Sequence, residues 1–400
     1  MINRESIIYS LRNIKNRKTR SIFTLFSIMM GITMIFIFVS FGLGLYNYID
    51  EIYSGSSANK IFIQPKGLDG MGLDSTFSFA EDDLRTVQRT SGVYQATGIF
   101  FQVVEVTQNK KLYYTYLIGL DPEYSLMEEM SNLKIFKGRK LVNGDMGVVL
   151  GYNYFLKDKV FSNAYSLNDN IEINGKKYKI IGFYEAVGNP SDDSQIYMTN
   201  SMMKDVFGED LSYNWIVAGA DTSRLDKVSD DIEKNLRKER NLKEGQEDFY
   251  VQTFGDMIES YSNILNIVIG FIILIALISI LVSAVNTANT MITSVLERVK
   301  EIGVMKSIGG TNSEIFGIFL FESSFLGFIA GVIGVSLGFI LSFIGGEILA
   351  NLGYSFLAPD FSPVLFIGCI AFAVLTGAIS GVIPAVHAMK INPVQALRYE

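Results

Sequence analysis

The chain has 400 residues, of which 49% are hydrophobic and 19% are charged, and its formal net charge is −7. Soluble domains average about 25% charged residues, so this composition indicates that part of the chain avoids water. The single cysteine, Cys369, excludes an internal disulfide, and the single histidine, His387, argues strongly against His-based metal sites and His-dependent nucleophilic catalysis.

The first 45 residues combine a basic segment with a long apolar one. Residues 1–21 carry six Lys and Arg residues and predict a cytoplasmic amphipathic segment, whereas residues 22–45 carry no charge. A helix needs about 20 apolar residues to cross the core of a bilayer. The run also exceeds the apolar core of a cleaved signal peptide, which has about 7–15 residues. We therefore predict an uncleaved first membrane span at 22–45.

Residues 46–262 have the patterns of a folded water-soluble domain. Two helices are predicted at 84–89 and 225–240, and Asn174-Gly175 is a typical hairpin turn. Alternating apolar and polar residues predict eight strands: 60–64, 93–107, 112–119, 171–173, 176–184, 195–199, 215–219 and 249–253. Because helical apolar stripes continue from this domain into both neighbouring spans, we predict an α+β domain on a helical stalk.

The charges of this domain bear on its partners and on metal binding. Residues 46–262 hold 23 Lys and Arg residues against 33 Asp and Glu residues, a balance of −10. An acidic surface argues against nucleic acid as a partner. Asp192-Asp193 is a pair that could suggest a metal site, but the pattern favours solvated loop charges. The Gly-rich stretch 67–72 predicts a mobile loop.

A second span is predicted at 263–289, and it leads into a charged loop at 290–315. Residues 297–310 of this loop predict a short amphipathic helix, in which Arg298 and Glu301 can pair on one face. A solvated loop is the alternative interpretation. If the helix forms, three apolar side chains could fill a groove on a partner protein: Leu296, Val299 and Ile302.

The third predicted span, 316–345, contains one charge and a stripe of glycines. Glu322 is costly inside a membrane, so we expect it either to pair with a basic group near Lys306 or to reach the interface; ion transport is the least favoured role. Four glycines at steps of four, three and four lie on one helix face: Gly327, Gly331, Gly334 and Gly338. Such a face allows close helix packing, either within the chain or between two copies.

The distribution of Lys and Arg predicts the orientation of the chain. A fourth span is predicted at 363–387, after a short external loop at 346–362 that has no Lys or Arg. Basic residues favour the cytoplasmic side, and they are found before the first span, in the 290–315 loop and in the 388–400 tail. We therefore expect a multi-pass protein of the cell membrane with both termini cytoplasmic and residues 46–262 outside.

Three motifs, in chain order, resemble those of the MacB/LolC/FtsX-like superfamily of ABC transporter permeases, which includes macrolide-exporter and lipoprotein-releasing types. Residues 297–309 match E-R-x-x-E-I-G-x-x-x-x-x-G, and residues 319–322 match F-x-x-E. Residues 384–400 closely match P-A-x-x-A…D-P-x-x-A-L-R-Y-E, with Asn392 in place of Asp. Residues 182–198 are similar, more loosely, to the outer core domain of that family.

The resemblance implies both an architecture and a set of partners. The family has four membrane helices and an outer domain of two lobes on a stalk, and its permeases pair as homodimers or with a paralogous permease on two ATPase subunits. The segment 297–310 matches its coupling helix, which docks on the ATPase. The docking residues implied are Glu297, Arg298, Val299, Glu301, Ile302, Gly303, Lys306 and Gly309. A periplasmic adaptor or another extracellular partner is compatible with this assembly, as is contact with membrane lipid.

No G-x-x-x-x-G-K-[ST] pattern occurs in the 400 residues. We therefore expect no catalytic, cofactor or metal site on this chain, and we expect ATP and Mg²⁺ to bind to a separate ATPase. Macrolide exporters differ, since they carry the ATPase domain on the same chain. The resemblance implies mechanotransmission that exports or extracts a substrate; macrolides, peptides, lipoproteins and lipids all fit. The alternative is an FtsX-like signalling subunit that controls an external partner such as a cell-wall hydrolase.

Overall fold

The computed structural model describes residues 18–54, 58–66 and 78–398, which form two compact units. Among these residues, the helical unit comprises 18–45, 264–348 and 357–398, and the α+β unit comprises 46–54, 58–66, 78–263 and 349–356. Most of the predicted N-terminal amphipathic segment and the Gly-rich loop at 67–72 lie outside the described residues.

The described helices follow each other along both units. They are α1 (Lys18–Ser54), α2 (Glu81–Gln88), α3 (Leu126–Met130), α4 (Asn200–Phe207), α5 (Leu225–Glu239), α6 (Phe254–Glu297), α7 (Val299–Ser307), α8 (Asn312–Leu352), α9 (Pro363–Met389) and α10 (Pro393–Arg398). Four of them, α1, α6, α8 and α9, are long and apolar enough to cross a membrane. The prediction of four membrane helices is therefore confirmed, and each predicted span lies inside a longer helix.

Ten strands form the sheet of the α+β unit. They are β1 (Lys60–Pro65), β2 (Val93–Gln108), β3 (Lys111–Leu120), β4 (Ile135–Gly138), β5 (Gly147–Leu150), β6 (Asn170–Ile173), β7 (Lys176–Tyr184), β8 (Ile196–Thr199), β9 (Trp215–Ala220) and β10 (Phe249–Thr253). The strand order is β10-β1-β9-β2-β3-β8-β5-β7-β4, and β6 pairs with β2 and β7. The β3–β8 and β5–β7 pairs are parallel, and the other pairs are antiparallel.

The long strand β2 runs through both lobes of the α+β unit. Its first part, up to Ile99, pairs with β9, whereas its second part, from Phe100, pairs with β3. The strands β3 to β8 are thus inserted between β2 and β9 in the chain and form the second half of the sheet. One continuous cluster of buried side chains includes strands of both halves together with α2, α4 and α5. The lobes are therefore two halves of one sheet with a shared core.

The sequence patterns found the elements that have a clear period. All eight predicted strands and both predicted helices are present, and Val228, Ile232 and Leu236 of α5 are buried as the helical stripe predicts. The patterns missed β4, β5, α3 and α4. Strand β5 has four residues that are all buried, so it shows no alternation of apolar and polar positions.

In the aspartate pair between β7 and β8, Asp193 is buried and Asp192 is half-buried, so the expectation of solvated charges is wrong for this pair. Asp193 accepts hydrogen bonds from the backbone N–H groups of Val187 and Gly188 at 2.7 and 3.2 Å, and Asp192 accepts from the side-chain amides of Asn189 and Gln195. Burial raises the pKa of both carboxyl groups. Within the described ranges, no group of three or more His, Cys, Asp or Glu residues could hold a metal ion.

We expect Asp192→Asn to change the pH dependence of unfolding of the α+β unit. Because the folded-state pKa of Asp192 is raised, its stabilising contribution is present below the unfolded pKa of about 3.9 and is lost as pH rises through the folded pKa. The melting temperature of the variant minus that of the parent should therefore increase between about pH 4 and about pH 7. Fluorescence of Trp215, the only tryptophan of the chain, reports this unit.

Asp145→Asn is the matched control with the opposite sign. The Arg139 guanidinium donates two hydrogen bonds to Asp145, at 2.6 and 2.7 Å, and lowers the pKa of that carboxyl group. The resulting stabilisation is present above the unfolded pKa and is lost as pH falls, so this variant should lose stability relative to the parent as pH rises. A difference that is independent of pH for Asp192→Asn would contradict the prediction.

Candidate functional site

The three motif segments meet at one end of the helical unit. Helix α7 carries the first motif, the first turns of α8 carry the second, and the end of α9 together with α10 carries the third. A cluster of buried side chains joins them: Val295, Ile302, Ile315, Phe319, Ala385 and Ala388. We call α7, the first three turns of α8, the last two turns of α9 and α10 the motif cluster.

Helix α7 is a short, separate helix with a defined start and end. Helix α6 ends at Glu297, and Arg298 has φ −109° and ψ 12°, which interrupts the helical path before Val299. At the other end, Gly309 has φ +102°, a backbone conformation that residues with a Cβ rarely adopt. The Gly310 N–H donates to the Met305 carbonyl oxygen at 2.9 Å. Gly309 therefore ends α7.

Arg298 and Glu322 form a buried ion pair. Arg298 Nη1 lies 3.0 Å from Glu322 Oε2, and the two side chains are 2% and 7% exposed. The guanidinium also lies over the ring of Phe319, with Cζ 5.6 Å from the centroid. Glu301 Oε2 is 3.8 Å from Arg298 Nε, so the predicted pairing of these two residues is present but looser. Of the roles expected for Glu322, structural pairing is present, and its basic partner is Arg298, at the start of the helix that carries Lys306.

Lys306 binds the end of α9 and is half-buried. Its ammonium group donates to the carbonyl oxygens of Met389 and Ile391 at 2.6 and 2.9 Å. The last carbonyl groups of a helix lack partners within the helix, so a lysine there satisfies them and also complements the helix dipole. Lys306 therefore fixes α7 to the junction of α9 and α10, a contact that its predicted docking role did not include.

Helix α10 packs directly on α7 at a glycine. A Cβ atom at Gly303 would lie 2.7 Å from Cβ of Ala396, closer than two carbon atoms can approach without a shift. Ile302 beside it is fully buried in the motif cluster. Arg298, Ile302 and Gly303 were predicted to dock on a partner, but burial inside the chain denies them that contact. Instead, they hold α7 in place.

The opposite face of α7 is exposed and partly apolar. Val304 is 49% exposed and Ile308 is 81% exposed, and they are four residues apart, on one side of the helix. Of the other predicted docking residues, Glu297, Glu301 and Gly309 are exposed and Val299 is half-buried. Leu296, at the end of α6, is also exposed. The sequence reasoning missed Val304 and Ile308, although their spacing was a usable signal.

The glycine stripe of α8 packs against helices of the same chain. A Cβ at Gly327 would collide with the carbonyl oxygen of Ala373 in α9, and one at Gly331 would lie 2.7 Å from Cβ of Ala373. Farther along, Cβ atoms at Gly334 and Gly338 would lie 2.9 Å from atoms of Met29 and Phe36 in α1. Of the two alternatives left open by the sequence, the structure supports packing within the chain.

Two family models match the chain. Residues 21–235 match the family model of the MacB-like periplasmic core domain, and residues 273–393 match that of the FtsX-like permease C-terminal region. The first model covers the first span and most of the α+β unit, whereas the second covers the motif cluster except α10 and most of the other three long helices.

Relatives are similar over the whole chain. An uncharacterised ABC transporter permease of Methanocaldococcus jannaschii is 31% identical over 397 residues, which is 98% of each chain. The uncharacterised ABC transporter permease YknZ of Bacillus subtilis is 28% identical over 99% of each chain. The macrolide export ATP-binding/permease protein MacB of Neisseria gonorrhoeae is 27% identical over 98% of this chain, which spans 60% of the length of that protein.

Two solved structures are also similar to part of the chain. The extracellular domain of YknZ matches 48% of it at 17% identity and a TM-score of 0.39, and the periplasmic region of MacB from Actinobacillus actinomycetemcomitans matches 54% of it at 17% identity and a TM-score of 0.43. On the family models and the full-length relatives, the chain belongs to the family of membrane-spanning ABC transporter permeases with a MacB-like core domain and an FtsX-like C-terminal permease region.

Proposed function

We propose that the chain is the permease subunit of a MacB-like ABC transporter. It couples ATP hydrolysis by a separate ATPase subunit to movement of the α+β unit, which exports or extracts a substrate. The observation that carries the proposal is the two-sided nature of α7. One side is fixed to α8, α9 and α10, and the other exposes Val304 and Ile308 among charged residues. A firmly seated helix with an exposed apolar face suits docking of a partner that pushes on it.

The contacts of the motif cluster would pass such a push to the long helices. The Arg298–Glu322 pair connects the start of α7 to α8, and the Lys306 ammonium connects its end to the carbonyl end of α9. Charge-assisted hydrogen bonds are short and directional, so these contacts resist sliding better than apolar packing alone. A displacement of α7 would therefore displace α8 and α9.

The chain also runs without a loop from α6 into the sheet. Strand β10 ends at Thr253 and α6 begins at Phe254. The Thr253 backbone N–H and hydroxyl donate to Asp256 Oδ2 at 2.9 and 2.8 Å, and the Asp256 N–H donates back to Thr253 Oγ1 at 3.1 Å. This reciprocal cap stiffens the junction. Since α6 ends one residue before α7 begins, motion at α7 has a helical path to β10.

The placement of ATP on another chain rests on sequence and relatives. The 400 residues contain no P-loop pattern, and permeases of similar length from Methanocaldococcus jannaschii and Bacillus subtilis are covered almost completely. An ATPase dimer would then bind two permease chains, identical or paralogous. Because the ATPase and its ATP are cytoplasmic, α7 and both termini would lie inside the cell and residues 46–262 outside. The Lys and Arg distribution supports this orientation.

The docking face predicts a specific loss of the ATPase. We expect Val304→Asp with Ile308→Asp to reduce the amount of ATPase that co-purifies with the full chain by about tenfold or more, because charges replace the apolar centre of the contact. The melting temperature of the helical unit, followed by chemical labelling of the buried Cys369 thiol, should stay within about 2 °C of that of the parent. Both substituted side chains are exposed, so their replacement should not affect packing. Leu112→Asp, a similarly exposed leucine of β3, is the matched control. Undiminished ATPase recovery with the double variant would refute docking at this face.

A further inference from the structure

The segment that connects α8 to α9 contains residues that belong to the α+β unit. Residues 349–356, which include the last turn of α8, form a compact body with the described residues of the range 46–263. This is unexpected from the sequence, because a loop of this length between two membrane helices needs no partner. We call residues 187–190 and 349–356 together the clasp.

The two parts of the clasp touch at several independent points. The Phe356 N–H donates to the Gly188 carbonyl oxygen at 3.4 Å, and a Cβ at Gly353 would lie 3.0 Å from Cγ of Pro190. Beside them, Lys159 Nζ donates to the Asn351 carbonyl oxygen at 2.9 Å. The contact therefore combines backbone, apolar and charged groups over the whole length of the segment.

The loop that receives the segment has a fixed shape. Gly188 has φ +90°, and its N–H and that of Val187 donate to the buried carboxylate of Asp193. In return, the Asp193 N–H donates to the Asn189 carbonyl oxygen at 2.8 Å. A carboxylate that organises a loop in this way gives it one conformation. The loop joins β7 to β8, which lie in the interior of the sheet order.

The clasp also contacts the end of α1. The Phe356 ring packs against the Tyr48 ring with centroids 5.6 Å apart, and the Tyr46 hydroxyl donates to the Ser262 carbonyl oxygen of α6 at 3.5 Å. Residues from α1, from α6 and from the segment after α8 thus belong to one connected set of contacts within the α+β unit.

We propose that the clasp attaches the chain segment between α8 and α9 to the loop between β7 and β8, in addition to the chain connections through α1 and α6. Through it, displacement of α8 and α9 passes to the loop between β7 and β8 and so to the sheet. The attachment itself stands on the contacts alone. Its role in transmitting motion rests on the proposed function, because that function supplies the motion.

A disulfide tests the attachment. The Cβ of Pro190 lies 3.8 Å from the Cβ position at Gly353, within the usual range for a disulfide of about 3.5–4.5 Å. In the full chain with Cys369→Ala, Pro190→Cys with Gly353→Cys should cross-link in membranes under mild oxidation and should be reversed by a reductant. The control pair uses Gly144→Cys with Gly353→Cys, because a Cβ at Gly144 has no atom within 4 Å. Cross-linking no faster than the control would overturn the attachment.

Hydrogen exchange tests the same contact without cysteines. A Cβ at Gly188 would collide with Ser355 Oγ, whereas one at Gly144, which has a similar φ of +84°, meets open space. Gly188→Ala should therefore speed amide exchange in residues 349–356 by about tenfold, whereas Gly144→Ala should leave it unchanged. Adding Ser355→Ala to Gly188→Ala removes the colliding oxygen and should restore part of the protection. Equal exchange in the two glycine variants would overturn the attachment.

Transmission is tested on the chain with its co-purified ATPase. ATP with vanadate should change exchange in β7 and β8 of the parent and of Gly144→Ala, and this response should fall by at least about threefold in Gly188→Ala. An equal response in the two variants would overturn transmission through the clasp. A third outcome is that the disulfide forms but ATP changes amide exchange nowhere in the parent. The proposed function and the transmitting role of the clasp would then both fail. The attachment would stand, because the disulfide shows it independently.

Discussion

Arg298→Gln should destabilise the helical unit by about 3–5 kcal/mol, because it leaves the Glu322 carboxylate buried without the guanidinium that compensates its charge. Water solvates a carboxylate far better than the interior of a helix bundle does, so the loss includes the cost of keeping that charge dry. The measurement is thermal unfolding of the full chain in detergent, followed by labelling of Cys369. This buried thiol lies in α9 and becomes reactive when the helices separate.

Two further variants separate the ion pair from simple loss of packing. Arg298→Gln with Glu322→Gln replaces both charges by neutral groups, so its destabilisation should be smaller than that of Arg298→Gln alone. Glu301→Gln removes the exposed carboxylate 3.8 Å from Arg298 and should cost about 1 kcal/mol at most. If the double variant were at least as unstable as Arg298→Gln alone, the uncompensated charge of Glu322 would not be the source of the effect.

The second large effect is expected at the glycine stripe. Gly327→Ala places a methyl group against the carbonyl oxygen of Ala373, which belongs to the backbone of α9 and cannot rotate away. The two helices must then separate, and overpacking of this kind costs about 1–3 kcal/mol. Alanine also favours a helix over glycine by about 1 kcal/mol, which opposes the loss. We expect a net decrease in the temperature at which Cys369 is labelled.

Gly345→Ala is the matched control on the same helix. A Cβ at Gly345 would lie 3.6 Å from Cζ of Phe41, an ordinary van der Waals contact. The gain in helix propensity should therefore remain, and the variant should be as stable as the parent or more stable. Equal effects of Gly327→Ala and Gly345→Ala on Cys369 labelling would show that close contact between α8 and α9 does not limit stability.

Both effects depend on contacts that no sequence pattern contains. Arg298 and Glu322 are 24 residues apart, and each was singled out for a separate reason, one as a docking residue and the other as a costly charge in a span. Lys306 reaches carbonyl oxygens 83 and 85 residues away. A periodic pattern shows that a helix has an apolar or polar face, but it does not show which element covers that face. For this reason the burial of Ile302 and Gly303 within the chain could not be predicted.

The sequence by itself determined the features that depend on local physical chemistry. A long apolar run with at most one charge can cross a bilayer as a helix, so the spans within α1, α6, α8 and α9 could be predicted from length and composition. Alternation over five or more residues predicted most of the sheet, and the order of three motifs predicted the family. Strand β5, with four uniformly buried residues, offered no such pattern.

The tertiary structure decided what each of these elements is used for. Folding buries one side of α7 against three other helices and leaves Val304 and Ile308 exposed, and it places residues 349–356 on a loop held by Asp193. These outcomes depend on which distant surfaces meet when the chain packs. Side chains separated by tens or hundreds of residues acquire their partners only then, because burial and hydrogen bonding act through space rather than along the sequence.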